Sequence, residues 1–260
     1  MNSLLSLKNA KITYGETEIV HGVTIEIAPG EFCALLGLNG SGKTTILHGC
    51  CGFLPMEGSL TVAGTDCRGL NEKKRAKLIS FISQTCSLQG GRTALEVVLM
   101  GFNARMGLLE SPSAAHKRAA LSAMERLNCA DFADKDFGEL SQGQRQLVVL
   151  ARCIVQNSPA MLMDEPDSAL DFLNRHMVLS KIRELIKEEN KAGLITLHDP
   201  NFAMAYCDRL LLLNRGVIVS ELRMDQASAS EIHEKLSLIY GDIALLQSGG
   251  SFLMGKVAKK

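Results

Sequence analysis

The chain reads as an α/β protein: a core with a mostly parallel sheet, an N-terminal antiparallel β subdomain and an inserted α-helical subdomain. Three observations predict this. The first thirty residues are short, β-branched and partly alternating, the pattern of half-buried strands. Runs such as EFCALLGL (31–38), AMLMD (160–164) and LITLH (194–198) are apolar almost throughout, which suits strands buried on both faces. Helical patterns separate these runs, and strand–helix–strand alternation builds parallel sheets. With 260 residues the chain can bury one large core with an insert.

Taken in order, LLSLKNAKIT (4–13) and EIVHGVTIEI (18–27) are strands, the second closed by Pro29-Gly30. The buried strand at 31–38 leads into a glycine-rich turn and a helix from Lys43 to Cys51. GSLTVAGT (58–65) is another strand, and NEKKRAKLIS a polar helix running into the strand ISFIS at 79–83. Residues 86–160 read as largely helical. Ser111-Pro112 looks like a helix opening, with Ala120, Met124 and Leu127 on one face. The helix after Ser141 sets Leu147, Leu150, Ala151 and Ile154 on one stripe. Alternation then returns: strand AMLMD, a helix over 170–191 closed by Gly193, strand LITLH, a helix near 201–207, and strands RLLLLN and VIVSEL. The tail, 226–260, reads as one helix and a hairpin around Ser248-Gly249-Gly250.

Composition narrows the function. Lys plus Arg and Asp plus Glu are both 28, so no basic field recruits nucleic acid. The longest apolar runs, such as Leu210–Leu213, are too short to span a bilayer, and MNSLLSLKNA lacks the charged start and apolar stretch of a signal peptide. Eight cysteines, with Cys50 and Cys51 adjacent and no C-x-x-C, argue for reduced structural thiols, several of them (Cys33, Cys153, Cys207) inside apolar segments. The six histidines show no metal-ligand spacing.

GLNGSGKTT (37–45) fits G-x-x-x-x-G-K-[ST] between a buried strand and a helix, which identifies a P-loop NTPase core. Gly40 and Gly42 let the loop curl so that backbone N–H groups point at phosphate oxygens. Lys43 supplies a point charge for the β and γ phosphates, and the Thr44 hydroxyl suits Mg²⁺. Hydrolysis needs a carboxylate brought to that metal, and MLMDEP offers Asp164, followed by Glu165 as a general base for the attacking water. His198 and Gln84 both end apolar strands, where a histidine can sense a γ-phosphate and a glutamine can touch metal and water. Each reads as a plain strand terminus by itself and gains weight only with the set. LSQGQRQ (140–146) is a second phosphate-suited helix start: Ser141 can cap it and Gly143 allows close approach.

The order ITYG, GLNGSGKTT, SQ, LSQGQRQ, MLMDEP, SALD and TLHD resembles the ATPase subunits of ABC transporters, across residues 5–220. EVVLMGF (96–102), the HDxN run at 198–201 and AYCDRLLLLNRGVIV (205–219) are similar to those importing iron–siderophore, haem or cobalamin complexes. The resemblance implies an ATPase domain over 1–225, with a helical subdomain at about 86–160, and a C-terminal extension over 226–260. It implies a head-to-tail dimer in which each ATP lies between one phosphate loop and the partner's LSQGQ, a reason for one chain to carry two cradles. By position it implies that Tyr14 stacks on adenine and that Asn39, Ser41 and Thr45 complete the nucleotide loop. Ser141, Gly143 and Gln144 would meet the partner's γ-phosphate, and Asp171 would run along the dimer interface. Thr44, Gln84 and Asp164 would hold Mg²⁺; Glu165, His198 and Gln84 would serve hydrolysis. The expected partners are a second copy, integral membrane permease subunits contacted through GFNARMGLLESP (101–112), and, indirectly, an extracytoplasmic substrate-binding protein. The expected location is the cytoplasmic face of the membrane. Three positions depart from the pattern: Gln142 for the first signature glycine, Asp167 after DEP, where it adds charge near the metal or faces solvent, and Pro200 after HD, where it stiffens the turn. Competing readings are an exporter ATPase, which shares every motif, and a soluble ABC-type ATPase acting on nucleic acid or the ribosome, which would ordinarily add coiled coils, zinc insertions or a second ATPase unit.

Overall fold

The computed structural model describes residues 3–84, 91–107, 110–248 and 251–257. Its core is a six-stranded sheet formed by β3 (Phe32–Leu36), β6 (Ile79–Ile82), β7 (Ala160–Asp164), β8 (Ala192–Thr196), β9 (Arg209–Asn214) and β10 (Val217–Arg223), in the order β10-β9-β3-β8-β7-β6. Every pairing is parallel except β9 with β10, a hairpin edge. β3, β7 and β8 are buried at every residue, which is why their sequences are apolar without alternation.

Successive residues of these strands enter different cores. Phe32, Ala34 and Leu36 join Met161, Met163, Leu210 and Leu212 under the helices; Cys33 and Leu35 join Leu162, Leu194 and Leu211 on the other face. That second face is covered by α1 (Lys43–Cys51) and by an antiparallel sheet of β1 (Leu5–Tyr14), β2 (Thr17–Ile27), β4 (Met56–Val62) and β5 (Thr65–Asp66), in the order β2-β1-β4-β5. The polar helix α2 (Glu72–Ala76) leads into β6.

The insert contains α3 (Ala94–Leu99), α4 (Ala114–Arg126) and α5 (Gln142–Gln156), joined through short 3₁₀ turns. The start of α4 differs from expectation. Ser113 caps it, accepting the His116 N–H, so the helix opens two residues past Ser111. Ala120, Met124 and Leu127 are buried as the stripe requires. On α5, Leu147, Leu150 and Ala151 are buried but Ile154 is only half-buried, while Val148, Val149 and Cys153 are also inside, so the helix is enclosed on more than one face.

α6 (Phe172–Glu188) is shorter than 170–191 and is not closed by Gly193. Asn190 takes the left-handed turn (φ +50°), and Gly193 lies inside β8. A Cβ there would sit 2.6 Å from Ile186 Cδ1 and 3.0 Å from Phe32 Cδ2, so this glycine answers to packing between helix and sheet. The chain closes with α7 (Pro200–Tyr206), α8 (Ala229–Tyr240) and the hairpin β11 (Ile243–Ser248) and β12 (Ser251–Lys256). Gly249 and Gly250, expected at its turn, lie outside the described residues, as do residues 85–90 and Leu108-Leu109. The seven described cysteines are unpaired, six of them buried, and no helix among the described residues is long and apolar enough to cross a membrane.

Candidate functional site

Four parallel strands, β3, β6, β7 and β8, end on one edge of the sheet, the edge where open α/β folds bind ligands. The segments following them supply most of the walls of a cleft of about 580 Å³. The loop from Asn39 to Thr45 follows β3, Gln84 follows β6, Glu165 follows β7 and His198 follows β8; Tyr14 and Ile19 come across from the antiparallel sheet. The candidate residues Tyr14, Asn39, Gly40, Ser41, Gly42, Lys43, Thr44, Thr45, Gln84, Glu165 and His198 thus line one space, together with Ser168.

The loop's shape follows from its glycines. Gly40 (φ +78°) and Gly42 (φ +106°) take left-handed conformations that a side chain would strain. α1 begins at Gly42 with no side-chain cap and no acid in its first turn, so its N-terminal N–H groups and positive dipole end are left for an anion. Lys43 is buried, its ammonium donating to the carbonyls of Gly37 at 2.9 Å and Leu38 at 3.3 Å. Burial lowers its pKa, against the opposing pull of Glu165 and Asp164. The Ser41 hydroxyl is buried without a hydrogen-bond partner.

Asp164 ends β7 buried beneath the loop, where its Oδ1 accepts from Thr44 Oγ1 at 3.1 Å and from Thr196 Oγ1 at 2.7 Å. Thr196 faces Asp164 across the β7–β8 register and also accepts the backbone N–H of Glu165 at 2.9 Å. That bond fixes an unusual backbone: Glu165 has φ +43° although it carries a side chain. The Glu165 carboxylate then accepts from Gln84 Nε2 at 3.0 Å. Two hard oxygens, Thr44 Oγ1 and Asp164 Oδ1, stand together at the loop, the donor chemistry that Mg²⁺ favours beside phosphate. Thr196 was not among the residues the sequence singled out; its only signal is a hydroxyl inside an otherwise apolar strand.

The remaining candidates lie elsewhere. Ser141, Gly143, Gln144 and Asp171 are not among the described residues lining the cleft. Ser141 and Gln144 form a capping box, Gln144 N–H to Ser141 Oγ at 3.3 Å and Ser141 N–H to Gln144 Oε1 at 3.0 Å. Asp171 caps α6 and accepts both the N–H and the side-chain amide of Asn174. A Cβ on Gly143 would come within 3.1–3.3 Å of that Asn174 amide, so the two helix starts are packed together. Gln142, the departure from the signature, is exposed at the head of α5. Asp167 is buried and does not face solvent; burial raises its pKa, with Glu165 and Asp199 adding to the rise and Arg175 opposing it. Pro200 occupies the first position of α7, where a missing N–H costs nothing.

Residues 20–168 match the family model described as ABC transporter. The hemin import ATP-binding protein HmuV of Vibrio cholerae is 35% identical over 240 residues, 90% of each chain. A metal-chelate type ABC transporter solved in an inward-facing conformation superposes with a TM-score of 0.81 at 28% identity, covering 97% of this chain and 96% of that one. A dimeric ATP-binding cassette in a post-hydrolysis state, bound to ADP and phosphate, superposes with a TM-score of 0.73 at 30% identity, covering 85% and 98%.

Proposed function

The chain belongs to the ABC transporter family as one of its ATP-hydrolysing subunits, and from that premise we propose that it powers import of a metal chelate of the iron–siderophore, haem or cobalamin kind. In this reading it works as a dimer on the cytoplasmic face of the membrane, bound to permease subunits that receive the chelate from an extracytoplasmic binding protein. The observation that carries the ATPase chemistry is the chain of bonds from Thr44 through Asp164 and Thr196 to Glu165 and on to Gln84, set at the mouth of the phosphate loop.

Each residue then has a task. Tyr14, exposed at the cleft rim, stacks on adenine. The N–H groups of 39–45 and the Lys43 ammonium surround the β and γ phosphates. Thr44, Asp164 and Gln84 would hold Mg²⁺, which when bound neutralises charge on the transferred phosphoryl group. Glu165, oriented by its hydrogen bond to Gln84, takes the proton of the attacking water, and His198 hydrogen-bonds the γ-phosphate. Ser141, Gly143 and Gln144 are directed to the nucleotide of a second copy, with Asp171 at the seam between the copies. Their place on a capped helix start outside the chain's own cleft supports this, since a site used in cis would line it. ATP binding would close the dimer and product release reopen it, driving the permease. Segment 101–112 is the proposed permease contact.

Purification from mild-detergent membranes of the native host tests the transport reading. A polytopic permease bound about one to one supports it, and ATP-dependent uptake of a metal chelate by the reconstituted complex identifies the cargo class. Recovery with soluble or nucleic-acid partners alone would overturn transport while leaving ATP hydrolysis in place.

A further inference from the structure

The turn that carries His198 is held from behind by the end of the chain. Asn201, three residues past His198, lies in the first turn of α7 and does not line the cleft. Its side-chain amide meets β12 at two points: Nδ2 donates to the Met254 carbonyl at 3.2 Å, and Oδ1 accepts the Met254 N–H at 2.6 Å. Met254 is paired in register with Leu245 of β11. In an antiparallel ribbon alternate residues turn both backbone groups outward, so the amide occupies the place a third strand would take. A buried polar group of the extension lies near Asp199. Tyr240, at the end of α8, buries its hydroxyl without a hydrogen-bond partner, and the nearby Asp199 carboxylate adds to burial in pushing its pKa up to about 12. Asp199 caps α7 through the Asn201 N–H at 2.8 Å. The Asn201 side chain of the HDxN run therefore faces the C-terminal hairpin, and Pro200 stiffens the link from it back to Asp199 and His198.

We propose that Asn201, clamped to the backbone of Met254, is a positioning residue for hydrolysis: it fixes the 198–201 turn, and so the placement of His198 in the ATP cleft, making the C-terminal hairpin a working part of the ATPase. The proposal rests on the role given above to His198. It accounts for an asparagine where any good helix former would serve α7 as a helix. The amide is the side chain that both donates to and accepts from one residue's backbone pair, and aspartate would lose the donor.

The test is ATP turnover by the full-length chain in a four-way comparison of wild type, His198→Ala, Asn201→Ala and the double variant, with melting followed alongside. Asn201→Ala lowers kcat about tenfold and leaves KM for ATP within about twofold, since a displaced catalytic group costs turnover more than binding. In the His198→Ala background it lowers kcat no further, because a group that acts only through His198 has nothing left to position. Asn201→Asp, which keeps the acceptor and loses the donor, falls between, and carries the same comparison if the alanine variant does not fold. A merely structural asparagine would lower melting temperature and depress turnover equally in both backgrounds, and that result overturns the proposal, as does an unchanged kcat. Full turnover by His198→Ala alone would instead remove the role of His198, a separate failure.

Discussion

Replacing Thr196 with valine isolates the bond network that joins Asp164 to Glu165. Valine matches threonine in shape but has no hydroxyl, so the fully buried site keeps its packing. Two hydrogen bonds disappear. One is the 2.7 Å donation to the Asp164 carboxylate, a charge-assisted bond worth roughly 1.5–3 kcal/mol. The other leaves the N–H of half-buried Glu165 unpaired, which costs at most the roughly 1–3 kcal/mol of a fully buried donor. The two share one network, so the combined loss is about 2–4 kcal/mol rather than their full sum. Thr196→Ser is the control: it keeps the hydroxyl and loses one buried methyl, about 1 kcal/mol. Urea unfolding should therefore rank valine below serine by about 1 kcal/mol or more. ATP turnover should separate them further. Without that bond the left-handed backbone of Glu165 (φ +43°) relaxes and kcat falls about tenfold or more in valine, but little in serine. Valine as stable as serine, with wild-type kcat, would refute the claim that this hydroxyl holds Glu165.

Other perturbations separate the parts of the site. Lys43→Ala should weaken ATP binding about a hundredfold by calorimetric titration, since it deletes a charged contact to phosphate; unchanged affinity would remove the loop assignment. Asp167→Asn should stabilise the fold at neutral pH more than at pH 4. Burial raises the folded-state pKa of Asp167, so the native chain holds its proton more tightly than the unfolded chain. The group therefore costs stability as pH rises from its ordinary value of 3.8 through its raised folded value. Melting curves across pH read this directly, and parallel curves for the two proteins would contradict it.

Much of this was legible in the sequence for a physical reason. Strands buried on both faces have no alternation to hide them, and a phosphate loop needs its glycines at fixed spacing, so β3, β7, β8 and the loop at 39–45 stand out locally. The remainder depends on partners far along the chain. Gly193 looks like a helix stop because a glycine's sequence context shows punctuation, while its real neighbours, Ile186 and Phe32, meet it only through packing. Ser111 and Ser113 are both credible caps, and the choice falls to Ser113, whose third neighbour, His116, bonds back to it. Thr196 resembles any β-branched strand residue until the β7–β8 register sets it opposite Asp164. Asn201 belongs to a readable motif, but its partner Met254 lies 53 residues away.

The central claim, that hydrolysis occurs at a site built from two copies of this chain, is tested most directly by sedimentation of the Glu165→Gln chain with and without saturating ATP. That variant keeps the loop and loses the proposed base, so it should bind ATP, fail to turn it over and sediment as a dimer with nucleotide and a monomer without. Adding Ser141→Arg should return it to a monomer that still binds ATP on its own loop. A Glu165→Gln chain that remains monomeric at saturating ATP, or a dimer indifferent to Ser141→Arg, would contradict the two-chain site.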